Sequence, residues 1–500
     1  MISAFANTWK VAELRERIIY VIVMIVIVRL GVHISLPGID ASVVDEYMRQ
    51  QAAKGGSDNG MLDTMATIFS GGGLQQLGLF ALGIMPYISA SILMQLMSAV
   101  MPKLAKLSRE DGGRQKINQY TRFITIIIAL VQGGLLANQL STNPGSLPFF
   151  SGIEAVGAVV PNPGVAFITI FTLTVVTGTL LLMWIGDQMT ENGIGNGTSM
   201  IITVNIISAL PASLALLWKS LISNGSPAGA AFVVFLFAFL IFVVAATISI
   251  TQAQRRIAIQ YAKRVVGRKQ YGGQTQYLPL KLNYANVMPI IFATAILGIP
   301  TVIISQLFPT ASWGLTLSSI LAGNSPWFYV IAGVMIFFFS YFWVATMFQP
   351  SEIAENLKRS GGYIPGVRPG EPTAKFLDFT MTRLTFAGAI FLTIIFALPF
   401  VVSQMPLLFG ENPLNQSITQ FFGGTSLLIM VGVILDIMRQ VETQLLQRNY
   451  DGFLRQGKLK GAVDRRNKQL AARSSNNMIY LLVVVAIFFI LGIVALSLGN

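Results

Sequence analysis

The sequence has 500 residues, of which 53% are apolar and only 11% charged, with a mean hydropathy of +0.65. A water-soluble globular chain carries about a quarter charged residues, so this composition excludes one. Cysteine is absent and histidine occurs once, at His33, which rules out disulfide frameworks, thiolate nucleophiles and a multi-histidine zinc centre built from one copy.

A helix needs about 20 apolar residues to cross the hydrocarbon core. Eleven stretches reach that length, near residues 18–36, 74–101, 121–140, 165–186, 194–217, 230–252, 287–308, 327–348, 381–402, 421–438 and 478–498. Backbone groups find no water inside a bilayer and the stretches have helix length, so the fold class is an all-α polytopic membrane bundle. The net charge of +13 first reports topology. With the N-terminus inside, 30 of the 34 Lys and Arg residues fall on inside segments, against Arg49, Lys54 and Lys219 outside. The positive-inside rule therefore sets a cytoplasmic N-terminus, and eleven crossings put Asn500 outside. Residues 18–36 are too long for a signal-peptide core, and no A-x-A site follows them.

The first span carries Arg29 and His33, four residues apart and so on one helix face. They read either as a polar pair turned to the bundle or, at lower cost, as side chains snorkelling to the outer interface about 12 Å away. Next, residues 62–73 (LDTMATIFSGGG) are too short to cross and end in three glycines. A reentrant segment on a glycine hinge and an exterior loop helix both fit that length. In the second span Pro86 predicts a mid-membrane kink, while Gly83, Ser89, Ser91 and Gln95 predict a face turned to protein or water. GIGNGTS at 193–199 opens the fifth span and predicts a tight hairpin with the fourth.

The inside loop 253–288 carries Arg255, Arg256, Lys263, Arg264, Arg268, Lys269 and Lys281 and no acidic residue. That predicts an electrostatic docking face for RNA or an acidic protein, with anionic lipid headgroups competing. The loop 349–379 has four basic and four acidic residues, and its glycines and prolines would present Arg368 at a shaped tip suited to a protein. Residues 452–458 match GxxxxGK, but Leu459 stands where a hydroxyl should hold magnesium and no strand precedes it, so it is not a phosphate site.

Apart from Arg29 the spans hold almost no ionisable group near the midplane, and no GxSxG elbow occurs. A bundle without ion, nucleotide, cofactor or hydrolytic sites is most economically a passive conduit driven by a partner. A secondary transporter of small solutes is the main alternative, supported by span number and broken helices. An intramembrane enzyme has no nucleophile and base to name.

Ten ordered strings then carry a family resemblance: LPGID (36–40), FSGGGL (69–74), ALGIMPYISASI (81–92), INQYTR (117–122), GIGNGTS (193–199), QRRIAIQYAKR (254–264), LPLKLN (278–283), AENLKRSGGYIPGVRPGEPTAKF (354–376), MTRLT (381–385) and FGGTSLLI (422–429). Together they resemble the SecY family, the central subunits of bacterial protein-conducting channels.

The resemblance implies ten helices in two pseudo-symmetric halves, residues 1–229 and 230–460, around an hourglass pore. Unfolded secretory polypeptides would cross the plasma (inner) membrane there, and transmembrane segments would leave sideways into the lipid bilayer. It implies a pore ring of Ile84, Ile88, Thr198, Ile202, Ile291 and Ile429, in which Thr198 departs from the usual aliphatic residue. The plug would be residues 62–73, with Phe69, Ser70, Gly71 and Gly72. Signal sequences would bind at a lateral gate that includes Pro86, Ser89, Gln95 and Gln132. Nascent chains would arrive from a ribosome, its rRNA included, or from a SecA-like motor ATPase at the basic loop and Arg368. SecE-like and SecG-like subunits would complete the complex. Residues 461–500 add a basic linker and an eleventh span to the usual family length.

Overall fold

The computed structural model describes residues 12–53, 70–110, 112–147, 150, 152–217, 227–261, 264–266, 269–271, 275–294, 296–297, 312–321, 325–405 and 425–456. Its first elements are α1 (Ala12–Val32), α2 (Ala41–Ala53), α3 (Met85–Val100), α4 (Pro102–Arg109) and α5 (Gly113–Thr142). Then come α6 (Val165–Asn192), α7 (Gly197–Leu217) and α8 (Pro227–Gln252), followed by strands β1 (Gln254–Tyr261), β2 (Arg264–Val266), β3 (Lys269–Tyr271) and β4 (Thr275–Lys281). The chain continues through α9 (Ser312–Leu321), α10 (Pro326–Met347), α11 (Pro350–Arg359), β5 (Gly362–Tyr363), α12 (Glu371–Gln404) and α13 (Thr425–Gln456).

The chain is a mostly helical, multi-pass membrane protein. Among the described residues six helices are long and apolar enough to cross a bilayer, and they cover the expected third, fourth, fifth, sixth, eighth and ninth spans. Helix α1 covers the first span as far as Val32, so His33 lies past the helix end and does not share a helix face with Arg29 as expected. The tenth span lies in α13, which runs on to Gln456. Of the seventh, residues 288–294 are helical; the expected eleventh at 478–498 lies outside the described residues.

The second span is where the helix expectation fails. Residues 70–84 fold as successive turns, and α3 begins only at Met85 with Pro86 in its first turn. An amide there has no helical acceptor to lose, so Pro86 starts the helix instead of kinking one. The turns need positive φ at Gly71, Gly72 and Gly83, and even at Leu77. They are anchored to the chain leaving α1, where the Leu36 N–H donates to the Leu77 carbonyl (3.0 Å) and the Leu79 N–H to that of Ile34 (2.8 Å).

The chain packs as two compact units, one of Met1–Val244 with Pro399–Asn500 and one of Ala245–Leu398, so the boundaries fall inside α8 and α12. In the first, Leu36, Val44, Tyr47, Leu77, Phe150 and Phe171 share one buried cluster. Helix α2 is capped by Asp40, whose carboxylate accepts from the Ser42 N–H (3.0 Å) and hydroxyl (2.6 Å). Helices α6 and α7 form the expected hairpin. Asn196 caps α7 by accepting the Ser199 N–H at 3.2 Å, and the Gly197 N–H reaches back to the Thr190 hydroxyl at 2.8 Å.

The second unit is packed by aromatic rings. Phe292 lies 5.3 Å from Phe339 and 5.6 Å from Trp343, both on α10, while Tyr329 of α10 lies 5.6 Å from Phe396 of α12. Its loops add short strands to the helical fold. Strands β4, β1 and β5 make one antiparallel sheet, and β2 pairs with β3.

Candidate functional site

The glycine-rich turns lie against the first unit's helices. A Cβ added at Gly178, midway along α6, would sit 2.1 Å from the Leu79 carbonyl oxygen. Non-helical backbone therefore rests against the middle of a long apolar helix. Backbone amides cannot be left there against lipid, and the turns satisfy several internally: Gly73 N–H to Ser70 O (3.2 Å), Gln76 to Gly72 (3.1 Å) and Gly78 to Gly73 (2.9 Å). Ser70 is buried at 3% exposure, and its hydroxyl accepts the Leu74 N–H.

The start of this segment meets a cation. Arg29 donates from its guanidinium to the Gly71 carbonyl at 3.0 Å, so it does not snorkel away as the cheaper sequence reading held. A Cβ on Gly71 would lie 2.4 Å from Asn205 Oδ1, and Asn205 is itself buried on α7. Gly71 thus fills a slot between α1 and α7. Of the expected plug residues, Ser70, Gly71 and Gly72 are described, while Phe69 and the stretch from 62 lie outside the described residues. Asn205 was not singled out from sequence, where it is one amide in an apolar span.

The expected ring residues come from four pieces of chain. Ile84 is fully buried at the last turn before α3, and Ile88 is half-buried one helical turn on. On α7, Thr198 and Ile202 are four residues apart and share a face; Thr198 is half-buried and Ile202 buried. Helix α13 packs along α7 and carries buried Ile429 near its start. These five belong to one compact unit, whereas Ile291 is in the other, half-buried beside the packed ring of Phe292. The branched aliphatic members can exclude water and ions, because a dry constriction charges an ion its desolvation.

Of the expected gate residues, Pro86 is buried and Ser89 half-buried on the first turns of α3. Gln95 donates to the Ser91 hydroxyl at 3.3 Å on the same helix. Its Oε1 is buried and makes no hydrogen bond within the described residues. Gln132 is half-buried on α5, the helix that packs along α3.

The basic loop is a ribbon in which β1 pairs with β4 from Gln254↔Lys281 to Gln260↔Thr275. Ile257 and Ile259 of β1 and Leu280 of β4 are buried, whereas Arg255, Arg256 and Lys281 are exposed. Arg264 and Lys269 are placed on β2 and β3, and Lys263 and Arg268 lie outside the described residues. Strand β5 from the other loop adds to β1 through Gln260↔Tyr363 and Tyr261↔Gly362, with the Tyr363 hydroxyl donating to Gln260 Oε1 at 3.1 Å. A Cβ on Gly362 would meet Tyr261 at 3.1 Å and Ile259 at 3.2 Å, so a glycine lets this edge close. Beyond β5, Gly366 and Gly370 take positive φ, and exposed Arg368 sits between them with its carbonyl accepting the Thr373 hydroxyl at 2.8 Å. Strands from both loops thus share one sheet.

A family model described as SecY matches residues 78–438. The protein translocase subunit SecY of Streptomyces coelicolor is 40% identical over 460 residues, 91% of this chain and 100% of that protein. Its counterpart in Escherichia coli K12 is 41% identical over 455 residues, 90% of this chain and 96% of that one. A solved structure of a protein-conducting channel shares the fold with a TM-score of 0.55 and 16% identity, over 86% of this chain and 92% of that one. So does Sec61 in the canine ribosome-channel complex from the endoplasmic reticulum, with a TM-score of 0.53, 14% identity and the same coverage.

Proposed function

This chain belongs to the SecY family, and from that premise we propose how it works. It is the protein-conducting channel subunit of a translocase and not an enzyme. Unfolded secretory polypeptides cross through it, and transmembrane segments leave it sideways into lipid. The membrane is the bacterial plasma membrane, with the N-terminus cytoplasmic and the C-terminus exterior, as the distribution of Lys and Arg supports.

The observation that carries this reading is the turn-built segment from Ser70 to Ile84. Backbone that abandons the helix inside a membrane bundle belongs beside protein or water, as in a path that opens. In the proposed mechanism Ile84, Ile88, Thr198, Ile202, Ile291 and Ile429 form the constriction and residues 62–73 the plug. Branched side chains change rotamer around a threading peptide, while the idle ring excludes ions. An apolar signal segment entering beside α3 gains a few tenths of a kcal/mol per residue from lipid, so about a dozen residues bias a gate held by polar groups such as Ser89, Gln95 and Gln132.

The chain supplies no motor of its own. The ribosome and a SecA-like ATPase dock on the sheet carrying Arg255 and Arg256 and on the tip carrying Arg368, and SecE-like and SecG-like subunits complete the complex. The exposure of these side chains and the union of both loops in one sheet support that assignment.

Proteoliposomes holding the chain with those subunits and a motor ATPase test the reading. A labelled secretory precursor should become protease-protected on addition of ATP, without accumulation of small solutes. Solute accumulation with no precursor uptake would favour a transporter instead.

A further inference from the structure

Arg29 has no part in the ring, gate or docking surfaces, yet it is a cation on an apolar helix, which is expensive to keep inside a membrane. Its guanidinium donates to the Gly71 carbonyl at 3.0 Å. That carbonyl belongs to a residue with φ +67 whose missing side chain leaves room for Asn205. Asn205 lies three residues beyond Ile202 on α7, while Arg29 comes from α1. A peptide group is therefore gripped between two helices, one of which also carries two proposed ring residues. A charge-assisted hydrogen bond is stronger than a neutral one, and a peptide carbonyl is an acceptor that no side-chain chemistry can remove.

We propose that Arg29 is a positioning residue for the channel: its bond to the Gly71 carbonyl, with Asn205 as the opposite wall, holds the glycine segment in place and must break before that segment moves. The proposal rests on the reading of residues 62–73 as a plug. Breaking one charge-assisted bond shifts a two-state equilibrium by about tenfold or more.

The test is the resting ion conductance of the full complex in planar bilayers, for Arg29→Met, for Gly71→Ala and for a deletion of residues 62–72, alone and combined with Arg29→Met. Both point variants should raise resting conductance about tenfold, and Arg29→Met should add nothing once the segment is deleted. Export of a precursor with an intact signal sequence checks assembly. Should Arg29→Met fail to assemble, Gly71→Ala carries the test, since it keeps the cation while placing a Cβ 2.4 Å from Asn205 Oδ1 and 2.9 Å from Arg29 Nη1.

A deletion that leaks beside point variants that stay tight overturns the grip and leaves the plug standing. A deletion that stays tight removes the plug and the grip with it. Equal added leak from Arg29→Met with and without the segment also overturns the grip, because Arg29 would then act elsewhere.

Discussion

The side-chain oxygen of Gln440 accepts the backbone N–H of Gly195 at 2.9 Å, binding the loop ahead of α7 to α13 across 245 residues of sequence. Gly195 has φ +86, and a Cβ there would meet Ile437 at 3.1 Å, while Leu14, Ile194 and Val441 form a small buried cluster alongside. Replacing Gly195 by Val forces a branched side chain into left-handed backbone and against Ile437. The expected cost is about 2 kcal/mol, seen as a lower midpoint of thermal unfolding in detergent. Gln440→Leu should cost about 1 to 2 kcal/mol by leaving the Gly195 N–H unpaired. Unchanged midpoints for both would show that this joint carries no stability.

The proposed constriction predicts an ion leak in ring variants. Ile84→Asn and Ile88→Asn each place an amide among branched aliphatic groups and reduce the desolvation barrier. Resting conductance in planar bilayers should rise, and precursors with weakened signal sequences should be exported. The variant at Ile84, fully buried in this structure, should also fold less stably than that at half-buried Ile88. Conductance at the parental level would remove both residues from the ring.

The two proposed docking surfaces should answer differently to charge. Arg368→Glu reverses an exposed charge on a glycine-flanked turn and is expected to impair motor-driven export while the channel stays assembled. Arg255→Glu with Arg256→Glu should weaken ribosome binding by more than tenfold at low salt and by less as salt rises, because the proposed contact is electrostatic. Sedimentation with purified ribosomes across a salt series measures the second effect, and a flat salt dependence would count against it.

Separating the two loops is a matter of one glycine. Gly362→Val puts a branched side chain where Tyr261 and Ile259 leave just over 3 Å. The edge strand should detach while β1 and β4 remain paired. Hydrogen exchange should then accelerate about tenfold or more across residues 362–363 and little along β4. Equal acceleration in both would mean that the sheet depends on its shortest strand.

Most of the helices were legible because a bilayer imposes one length and one chemistry on every crossing, as Val165–Asn192 and Pro326–Met347 illustrate. The same rule misread residues 74–84, whose apolar composition equals that of a helix; only Gly71, Gly72, Gly78 and Gly83, read as a set, signal turns. From sequence Pro86 reads as a mid-span kink, since its meaning depends on where the helix begins. In the basic loop the charges are the conspicuous signal, while the period-two spacing of Ile257 and Ile259 between Arg256 and Gln260 is a weak one, since Ala258 between them is apolar. The pairing of Gln260 with Tyr363 had no local signal, because contacts between distant loops leave no period in the chain. Nor had the grip of Arg29 on Gly71, which joins positions 42 apart.

An open sheet outside a membrane invites strand-to-strand self-association between copies of the chain. Here β5 is only two residues long, too brief a template to recruit a neighbour. On the opposite margin β4 carries Pro279, which lacks an amide donor, and exposed Lys281. The platform is thereby guarded along β4 against polymerising with its own kind, while the face bearing Arg256 and Tyr277 stays uncovered.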